Sequence, residues 1–338
     1  MRRKQAFTLT ELLVVVVIVV LLRGLLLPAV RINGGSSRRA QCLNNMKNCS
    51  LAVLHYEAVK QKFPPSYTRY RTAPASPSYL NWVAQVLPHL ERTDVYEMFN
   101  HGKTLSAPDA KSLDNRPIRI DFLICPSAGS TGPAPIHYAV NCGRQDFSAP
   151  DSAVDWQANG VFFADFAPAG QTPVEPISLK YVANHDGTSM TLLMAENEQT
   201  QKTWNEPQPL TIAPLEGLSG ILWFPSQPVD SRNKPIGFDR SPTDFPKTAS
   251  GDLDFAAPTA PHHALPSSQH PGLFNAAFCD GSVRCIDSTI AYRIYALAMT
   301  PNGKEAREPS IPPSPLTEEP SPEYRGWIAT PLQPSDFE

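Results

Sequence analysis

The stretch FTLTELLVVVVIVVLL occupies residues 7–22 and is almost entirely apolar. Three cations precede it at residues 2–4, and apolar residues resume soon after Arg23 and continue to Val30. As one helix, residues 7–30 would measure about 36 Å, more than the roughly 30 Å hydrocarbon core of a bilayer. The segment therefore predicts a single membrane span. Because cations remain on the cytoplasmic side, we expect a cytoplasmic N-terminus and a body of the chain across the membrane.

Two ionisable side chains lie within this span, and each costs roughly 2.5 to 3.5 kcal/mol at the centre of a bilayer. Arg23 lies about 24 Å beyond Phe7 along a helix, so its guanidinium reaches the outer interface. Glu11 lies near the cytoplasmic side, where its carboxylate needs protonation or a cationic partner. No convincing small-x-small cleavage site follows Val30, so we expect the helix to be retained rather than removed as a secretory signal.

A second helix is predicted from Arg38 to Phe63, because apolar residues recur there at steps of four and three. Its predicted buried face consists of Cys42, Met46, Cys49, Val53 and Tyr56. The pair Gly34 and Gly35, followed by two serines, should interrupt the helical rod, since paired glycines are unfavourable inside a helix and Ser is a good N-cap. We therefore predict an N-terminal region, residues 7–62, that contains a membrane span and an amphipathic helix.

The remainder divides into a predicted α+β domain, residues 63–305, and a flexible, proline-rich and acidic tail, residues 306–338. The chain has 36 prolines, about twice the usual share, which favours short elements and loops. Short helices are predicted in residues 80–100, with a break at Pro88. Strands are predicted in residues 122–127, 136–140, 160–163, 178–182 and 190–195.

A hairpin is the clearest local signal of this domain. Asp280-Gly281 lies between two alternating runs and predicts a type I′ turn, in which both central residues have positive φ. That turn would pair residue 279 with residue 282. It would then place Phe274, Ala276, Phe278, Val283 and Cys285 on one face, and Asn275, Cys279, Ser282 and Arg284 on the other.

Six cysteines occur without C-x-x-C spacing, which argues against a zinc ribbon and permits disulfides if the domain is extracytoplasmic. Cys42 and Cys49 would lie about 10.5 Å apart along a helix, beyond the roughly 7 Å that a disulfide allows between Cα atoms. In the predicted hairpin, Cys279 and Cys285 point to opposite sides. Each of these cysteines therefore needs a more distant partner.

The segment from Ala6 to Val15, AFTLTELLVV, resembles the prepilin cleavage and methylation segment of type IV pilins and type II secretion pseudopilins. The resemblance implies that a prepilin peptidase cuts between Ala6 and Phe7 and methylates the new amine. It also implies that Glu11 neutralises the N-terminus of a neighbouring subunit during assembly. Ala6 departs from the Gly that usually precedes the cut. An uncleaved signal anchor with an incidental Glu is the alternative.

Later blocks extend the resemblance to a large bacterial paralogue family that joins such an N-terminus to a large domain of unknown function. These blocks are RRAQCLNNMKN at 38–48, FPP at 63–65, the stretch at 82–100, FLICPS at 122–127, DGTSMTLLMAE at 186–196 and HPGLFNAAFCDGSVRCI at 270–286. The family commonly has cysteines at the positions of Cys42 and Cys125, which implies a disulfide between them. The implied fold is pilin-like, a long hydrophobic helix packed on an antiparallel sheet with large loop insertions.

Other candidate sites are weaker. His262, His263 and His270 with Asp280 are possible zinc ligands, but their spacing is not that of a zinc motif, so we predict no metal. The Asp186 loop, DGTS, is either a calcium site or, as we expect, a turn that leads into a strand. No G-x-S-x-G, H-E-x-x-H or dinucleotide fingerprint occurs, so neither an enzyme nor a cofactor is predicted. A net charge of -3 argues against nucleic acid as a partner.

Three functions are consistent with these features. The preferred one is a non-enzymatic, pseudopilin-like subunit of the inner membrane, with a prepilin peptidase, the membrane and other pilin-like subunits as partners. The second is a membrane-tethered module that binds a ligand and does not polymerise, which the large size of the domain favours. The third is an anchored hydrolase that uses loop His and Asp residues.

Overall fold

A computed structural model of the chain describes fourteen stretches, and every structural statement below concerns these residues. They are residues 8–31, 34–71, 78–98, 117–128, 132–144, 157–166, 173–198, 204–205, 208–209, 219–223, 238, 264–308, 314–315 and 332–337. The predicted cleavage site, Ala6 and Phe7, lies outside them, as do His262 and His263.

Two helices open the described chain. Helix α1 runs from Leu9 to Arg31 and α2 from Gly34 to Lys60. Gly34 and Gly35, which were predicted to interrupt the rod, are helical and belong to α2, and residues 32–33 lie outside the described stretches. Along α1, large apolar side chains from Leu9 to Leu21 are exposed. The predicted packing of the hydrophobic helix on the sheet is therefore not confirmed, because the described apolar residues of α1 surround the helix instead of forming one stripe that a sheet could cover.

No helix in the described part of the chain proves to be both long and apolar enough to cross a membrane. The membrane span of residues 7–30 stays a prediction from the sequence.

Helix α2 takes the packing role that was predicted for the hydrophobic helix. It lies against strands β7 (Leu273–Phe278) and β8 (Val283–Asp287). The five residues of its predicted face, Cys42, Met46, Cys49, Val53 and Tyr56, are all buried, which confirms the helical period. The amphipathic pattern therefore specifies both the helix and the side that faces the core.

The main sheet has five strands in the order β6-β3-β4-β7-β8. The additional strands are β3 (Tyr138–Asn141), β4 (Leu192–Glu196) and β6 (Gly220–Ile221). The pairs β3-β4, β4-β7 and β7-β8 are antiparallel, whereas β3 and β6 are parallel. The prediction of an antiparallel sheet is therefore corrected to a mixed one. The long connection between β3 and β6 allows the chain to return to the same end of the sheet, which parallel pairing requires.

The two faces of the main sheet contribute to different apolar clusters. One face packs with α2, and its cluster includes Met46, Val140 and Ala277. The opposite face packs with helix α6 (Tyr292–Met299), and its cluster includes Ala139, Phe274 and Tyr295. The sheet therefore lies between two helical layers, which defines an α+β architecture.

A smaller sheet and several short helices complete the described elements. Strands β1 (Tyr67–Arg71), β2 (Ser78–Asn81) and β5 (Gln208–Pro209) form an antiparallel sheet in the order β1-β2-β5. As predicted for residues 80–100, two short helices, α3 (Val83–Val86) and α4 (Thr93–Met98), are separated near Pro88. Pro88 itself lies in a 3-10 helix, Leu87–Leu90.

Two predicted strands are helical in the structure. Residues 178–182 belong to helix α5 (Leu179–Asn184), because its first amides find side-chain acceptors. The hydroxyl of Ser178 accepts from the N–H of Tyr181 at 3.3 Å, and Glu57 Oε1 accepts from the N–H of Leu179 at 2.9 Å. Residues 122–127 were predicted as a strand, whereas Asp121–Leu123 forms a 3-10 helix.

The predicted hairpin exists, but its turn and register differ from the prediction. Positive φ occurs at Gly281, 78°, and not at Asp280. The N–H of Gly281 donates to the carbonyl of Phe278, and the N–H of Phe278 donates to the carbonyl of Ser282, so three residues form the loop. This geometry is that of a turn followed by a glycine bulge, in place of a type I′ turn.

The longer loop shifts the strand register by one residue. Ala277 pairs with Val283 and Asn275 pairs with Cys285, so the side chains of β8 lie on the opposite face from the predicted one. Accordingly, Arg284 lies 4.2 Å from the centre of the Phe278 ring.

Parts of the predicted tail, residues 306–338, pack on the domain. Ala306 is buried in the α6 cluster, and Arg307–Glu308 (β9) pairs with Ser314–Pro315 (β10). Pro334–Phe337 forms a 3-10 turn, and the ring of Phe337 lies 5.2 Å from that of Phe278. At these positions the prediction of a flexible tail is corrected, and the domain boundaries otherwise stay predictions.

Candidate functional site

A buried polar cluster lies between α2 and the main sheet. Its members come from four separate parts of the chain. Cys42 lies on α2, Cys125 follows the 3-10 helix Asp121–Leu123, Glu196 ends β4, and His270 precedes β7. All four residues are buried, and one potential metal-ligating atom from each lies within 4.8 Å of the others.

Cys42 and Cys125, which the resemblance pairs, form a disulfide with their Cα atoms 4.9 Å apart. Two side chains fix the segments that carry the two cysteines, Asn45 on α2 and Tyr138 on β3. The side-chain amide of Asn45 donates to the carbonyls of Asp121 and Ile124, at 3.2 and 2.8 Å. The hydroxyl of Tyr138 donates to the carbonyl of Cys42 at 3.1 Å. The bridge thus ties α2 to the segment beside β3.

Glu196 holds the centre of the cluster and is only 2% exposed. Its Oε2 accepts from the hydroxyl of Ser268 at 2.6 Å and from the N–H of Asn275 at 3.0 Å. Its Oε1 accepts from the side-chain amide of Asn275 at 2.8 Å. Because three donors surround it, the carboxylate is fixed in one orientation.

His270 lies between this carboxylate and the disulfide. Its Nε2 is 3.5 Å from Glu196 Oε1 and 3.6 Å from Cys125 Sγ. The N–H of His270 donates to the hydroxyl of Ser268, which itself donates to Glu196. A short segment before β7 therefore supplies both the imidazole and a hydroxyl to the same carboxylate.

Two further ionisable groups adjoin the cluster, and burial shifts the pKa of each. Burial lowers the pKa of His137 to about 4, and its Nδ1 accepts the N–H of Cys125 at 3.3 Å. Burial raises the pKa of Glu198 to about 7, although Gln269 donates to its Oε2 at 2.6 Å. Both shifts favour the neutral forms, as expected for a poorly solvated environment.

The three remaining sequence-predicted positions are not among the four residues of this cluster. Glu11 lies in the first turn of α1, where its Oε2 accepts from the N–H of Thr8 at 2.9 Å and from the Thr8 hydroxyl at 2.8 Å. Asp280 Oδ1 accepts from the N–H of Ser282 at 2.8 Å, a contact that stabilises the hairpin loop. Gly281 has little space, because an added Cβ would lie 3.0 Å from Leu54 Cδ1.

The Asp186 loop has a structural contact of its own. Asp186 Oδ2 accepts from the N–H of Gly303 at 2.7 Å, and burial raises the pKa of this carboxyl group. The carboxylate thereby joins the end of α5 to the segment after α6, in agreement with the expected turn.

Glu196 was not among the residues predicted from the sequence. The available signal was a carboxylate at the end of the apolar run MTLLMAE, since a charged residue that continues a buried strand needs partners inside the protein. Three histidines and one aspartate were candidate zinc ligands. Of these, the structure places His270 in the cluster and Asp280 in the hairpin loop. The partners of His270 come from segments distant in sequence, so spacing alone did not reveal them.

Two family models match the chain, and they correspond to the two resemblances described above, that of the N-terminal segment and that of the large domain. Residues 1–22 match the prokaryotic N-terminal methylation motif, which defines the class of chains that carry a prepilin-type N-terminus. Residues 36–293 match the family described as a protein of unknown function, DUF1559. This match covers most of the chain, and the protein therefore belongs to the DUF1559 family. Neither a curated protein nor a solved structure matches it.

Proposed function

We propose that the protein is a non-enzymatic, pseudopilin-like subunit that is anchored in the inner membrane by residues 7–30. The observation that carries this proposal is the match of residues 1–22 to the N-terminal methylation motif. In this proposal a prepilin peptidase cuts between Ala6 and Phe7, and the mature chain begins with a methylated Phe7. The chain then associates with other pilin-like subunits of a type II secretion or type IV pilus-like system.

The first turn of α1 supports a role for Glu11 in this association. Thr8 and Glu11 form a capping box, in which the N–H of Glu11 donates to the Thr8 hydroxyl and the N–H of Thr8 donates to the Glu11 carboxylate. Glu11 is nevertheless exposed. Its carboxylate therefore remains available to the amine of an adjacent subunit, which would offset the cost of placing this charge in the bilayer.

The disulfide supports the proposed topology. Disulfides form and persist in oxidising compartments, and the bridge between Cys42 and Cys125 lies in the domain that follows the anchor. The cations at residues 2–4 favour a cytoplasmic N-terminus. Both features agree with a single-pass protein whose body lies outside the cytoplasm.

Mass spectrometry of the mature N-terminus tests this proposal. In cells with an active prepilin peptidase, the purified chain should lack residues 1–6 and carry an N-methylated Phe7. The same chain from cells without the peptidase should keep residues 1–6. An Ala6→Gly variant, which restores the usual residue before the cut, should be processed at least as completely. Retention of Met1 in the cells with peptidase would contradict the proposal.

The size of the domain that follows the anchor favours a tethered module that does not polymerise as the second candidate, because the family match alone spans residues 36–293. Crosslinking of the processed protein within membranes separates the two candidates. Crosslinked oligomers support the subunit, and a processed chain that stays monomeric supports the module.

A further inference from the structure

The cluster around Glu196 contains a buried carboxylate that accepts three hydrogen bonds from neutral donors. Among the residues that the structure describes, His270 is the one basic side chain recorded within ion-pair distance of this carboxylate, and its Nε2 is 3.5 Å away. Burying a carboxylate is costly unless a cation or several hydrogen bonds offset the loss of hydration. Directly beside this pair are two sulfur atoms, so the site combines a carboxylate, an imidazole and a pair of cysteines.

We propose that Cys42, Cys125, Glu196 and His270 form a zinc site when the Cys42–Cys125 disulfide is reduced. The oxidised protein keeps the disulfide and does not bind the metal, so the site is redox-controlled. This proposal does not depend on the pseudopilin-like function, because it concerns only the folded domain.

The proposed site forms in two steps, a thiol-disulfide exchange and then the binding of the metal. A dithiol reductant transfers two electrons and two protons, so the bond between the two Sγ atoms breaks and the reductant becomes a disulfide. Cys42 and Cys125 are then thiols. Zn²⁺ displaces both thiol protons to the solvent and binds the two thiolates.

Once the bond between Cys42 Sγ and Cys125 Sγ is broken and the two sulfur atoms move apart, the four donor atoms would fit around one tetrahedral ion. Zn²⁺ takes thiolate sulfur at about 2.3 Å and imidazole nitrogen or carboxylate oxygen at about 2.0–2.2 Å, so its donors lie roughly 3.3–3.8 Å from one another. The four donor atoms already lie within 4.8 Å. His270 Nε2 is 3.5 Å from Glu196 Oε1 and 3.6 Å from Cys125 Sγ, distances that match the edges of such a tetrahedron.

The surroundings of the donors also suit a metal. Asn275 donates to Glu196 Oε1, and Ser268 donates to Oε2, so the carboxylate is oriented before any ion binds. The donors come from α2, from the segment after Asp121–Leu123, from β4 and from the segment before β7. A bound ion would therefore join the same parts of the fold that the disulfide joins. Two thiolates and one imidazole favour Zn²⁺ over harder ions such as Mg²⁺ or Ca²⁺.

Thermal unfolding of the full-length protein in detergent provides the first test. After reduction by a phosphine that does not bind zinc, saturating Zn²⁺ should raise the melting temperature by on the order of 5 °C. The oxidised protein should show no such shift. An equal shift in both states, or none in either, would overturn the proposal.

Absorption spectra with Co²⁺ provide the second test. The reduced protein should bind one Co²⁺ per chain and show visible bands of tetrahedral geometry together with thiolate charge-transfer absorption. Glu196→Gln and His270→Gln should each weaken Co²⁺ binding by about tenfold or more. Both variants should first be shown to keep the disulfide and the wild-type circular dichroism when oxidised.

Cys285→Ser is the matched control, because Cys285 is a free cysteine of the same sheet whose Sγ donates to Asn275 Oδ1 and is not one of the four donors. Its Co²⁺ spectrum and affinity should equal those of the wild type. Loss of the spectrum in this control, or its full retention in a folded Cys42→Ser/Cys125→Ser variant, would show that other thiols bind the ion and would overturn the proposal.

Discussion

Gly160 lies against the backbone of Gly143, where no larger residue fits. An added Cβ would lie 2.3 Å from both the Cα and the N of Gly143, which is well inside van der Waals contact. We therefore expect Gly160→Ala to lower the free energy of unfolding by about 3 kcal/mol or more, because backbone atoms cannot move aside as a flexible side chain can. Urea unfolding followed by circular dichroism measures this loss.

Gly35→Ala is the matched control for this substitution. Gly35 lies in the first turn of α2, and a Cβ there would meet nothing within 4 Å. The same chemical change should leave stability unchanged or raise it by up to about 0.5–1 kcal/mol, since Ala favours the helix. Equal effects of the two substitutions would contradict the close approach at Gly160.

His137 should make stability depend on pH. Its pKa is about 4 in the folded protein because it is buried, and about 6.5 when unfolded. As the pH falls below 6.5, the unfolded chain takes up a proton that folded His137 does not, so stability is lost progressively until about pH 4. The full loss from this group is about 3 kcal/mol. His137→Gln should remove this contribution to the pH dependence of unfolding by urea, measured between pH 7 and pH 4.

Glu198 opposes this dependence and serves as the control. Its folded pKa, about 7, lies above the usual value of 4.5, so acidification through pH 7 favours the folded protein. Because the two pKa shifts are similar in size and act in opposite directions, their contributions nearly cancel in the wild type between pH 6.5 and 4.5. Glu198→Gln should therefore lose stability on acidification over this range, whereas His137→Gln should gain stability. Parallel pH profiles for the two variants would contradict this assignment.

At the scale of the elements, the disulfide joins α2 to the segment around Cys125. The bridge closes a loop of 83 residues by sequence separation. In the chain-entropy model a loop of this length contributes about 4–5 kcal/mol, so Cys42→Ala/Cys125→Ala should lower the free energy of unfolding by about that amount. Urea unfolding with and without reductant measures the contribution, and the reductant should not affect the variant.

Cys49→Ala is a suitable control for the disulfide, because Cys49 is a buried free cysteine on the same face of α2. It should cost only about 1 kcal/mol for the small cavity, and its unfolding should remain sensitive to reductant. In native protein, alkylating reagents should spare Cys42 and Cys125 until reductant is added. Ready labelling of both without reductant would contradict the bridge.

One additional loop residue changes the register of the hairpin formed by β7 and β8. The loop after Phe278 has three residues because only Gly281 adopts positive φ. That single additional residue places Arg284 over the Phe278 ring and Cys285 beside Asn275. Lys47 of α2 donates to the carbonyl of Gly281, so the helix and the hairpin loop support one another. The register therefore depends on contacts with the helical layer as well as on the turn residues.

The whole molecule combines a buried sheet with an N-terminal helix whose apolar side chains face outward. We therefore expect Glu11 to be needed for the assembly of subunits but not for the stability of the domain. Glu11→Gln removes the charge that would meet the amine of a neighbour, so crosslinking between subunits in the membrane should fall several-fold while insertion and the domain's melting temperature stay unchanged. Thr10→Val is the control, because it changes a polar neighbour whose hydroxyl contacts Thr8 at 3.1 Å. Unchanged crosslinking of Glu11→Gln would favour the tethered module.

Local patterns in the sequence determined the features that depend on neighbouring residues. The spacing of Cys42, Met46 and Cys49 predicted the buried face of α2 because helical periodicity repeats within a few residues. The pair Asp280-Gly281 predicted a hairpin because glycine permits positive φ, and residues 1–22 carried the methylation motif. These signals need no knowledge of how distant segments meet.

The tertiary structure alone decided the rest. The parallel pairing of β3 with β6 and the meeting of Glu196 with His270 and the disulfide join segments that are far apart in sequence. Such contacts depend on the paths of long connections and on which polar groups find partners once buried, and neither leaves a periodic trace along the chain. A buried carboxylate beside two cysteines therefore became visible only when α2, β4 and the segment before β7 were packed together.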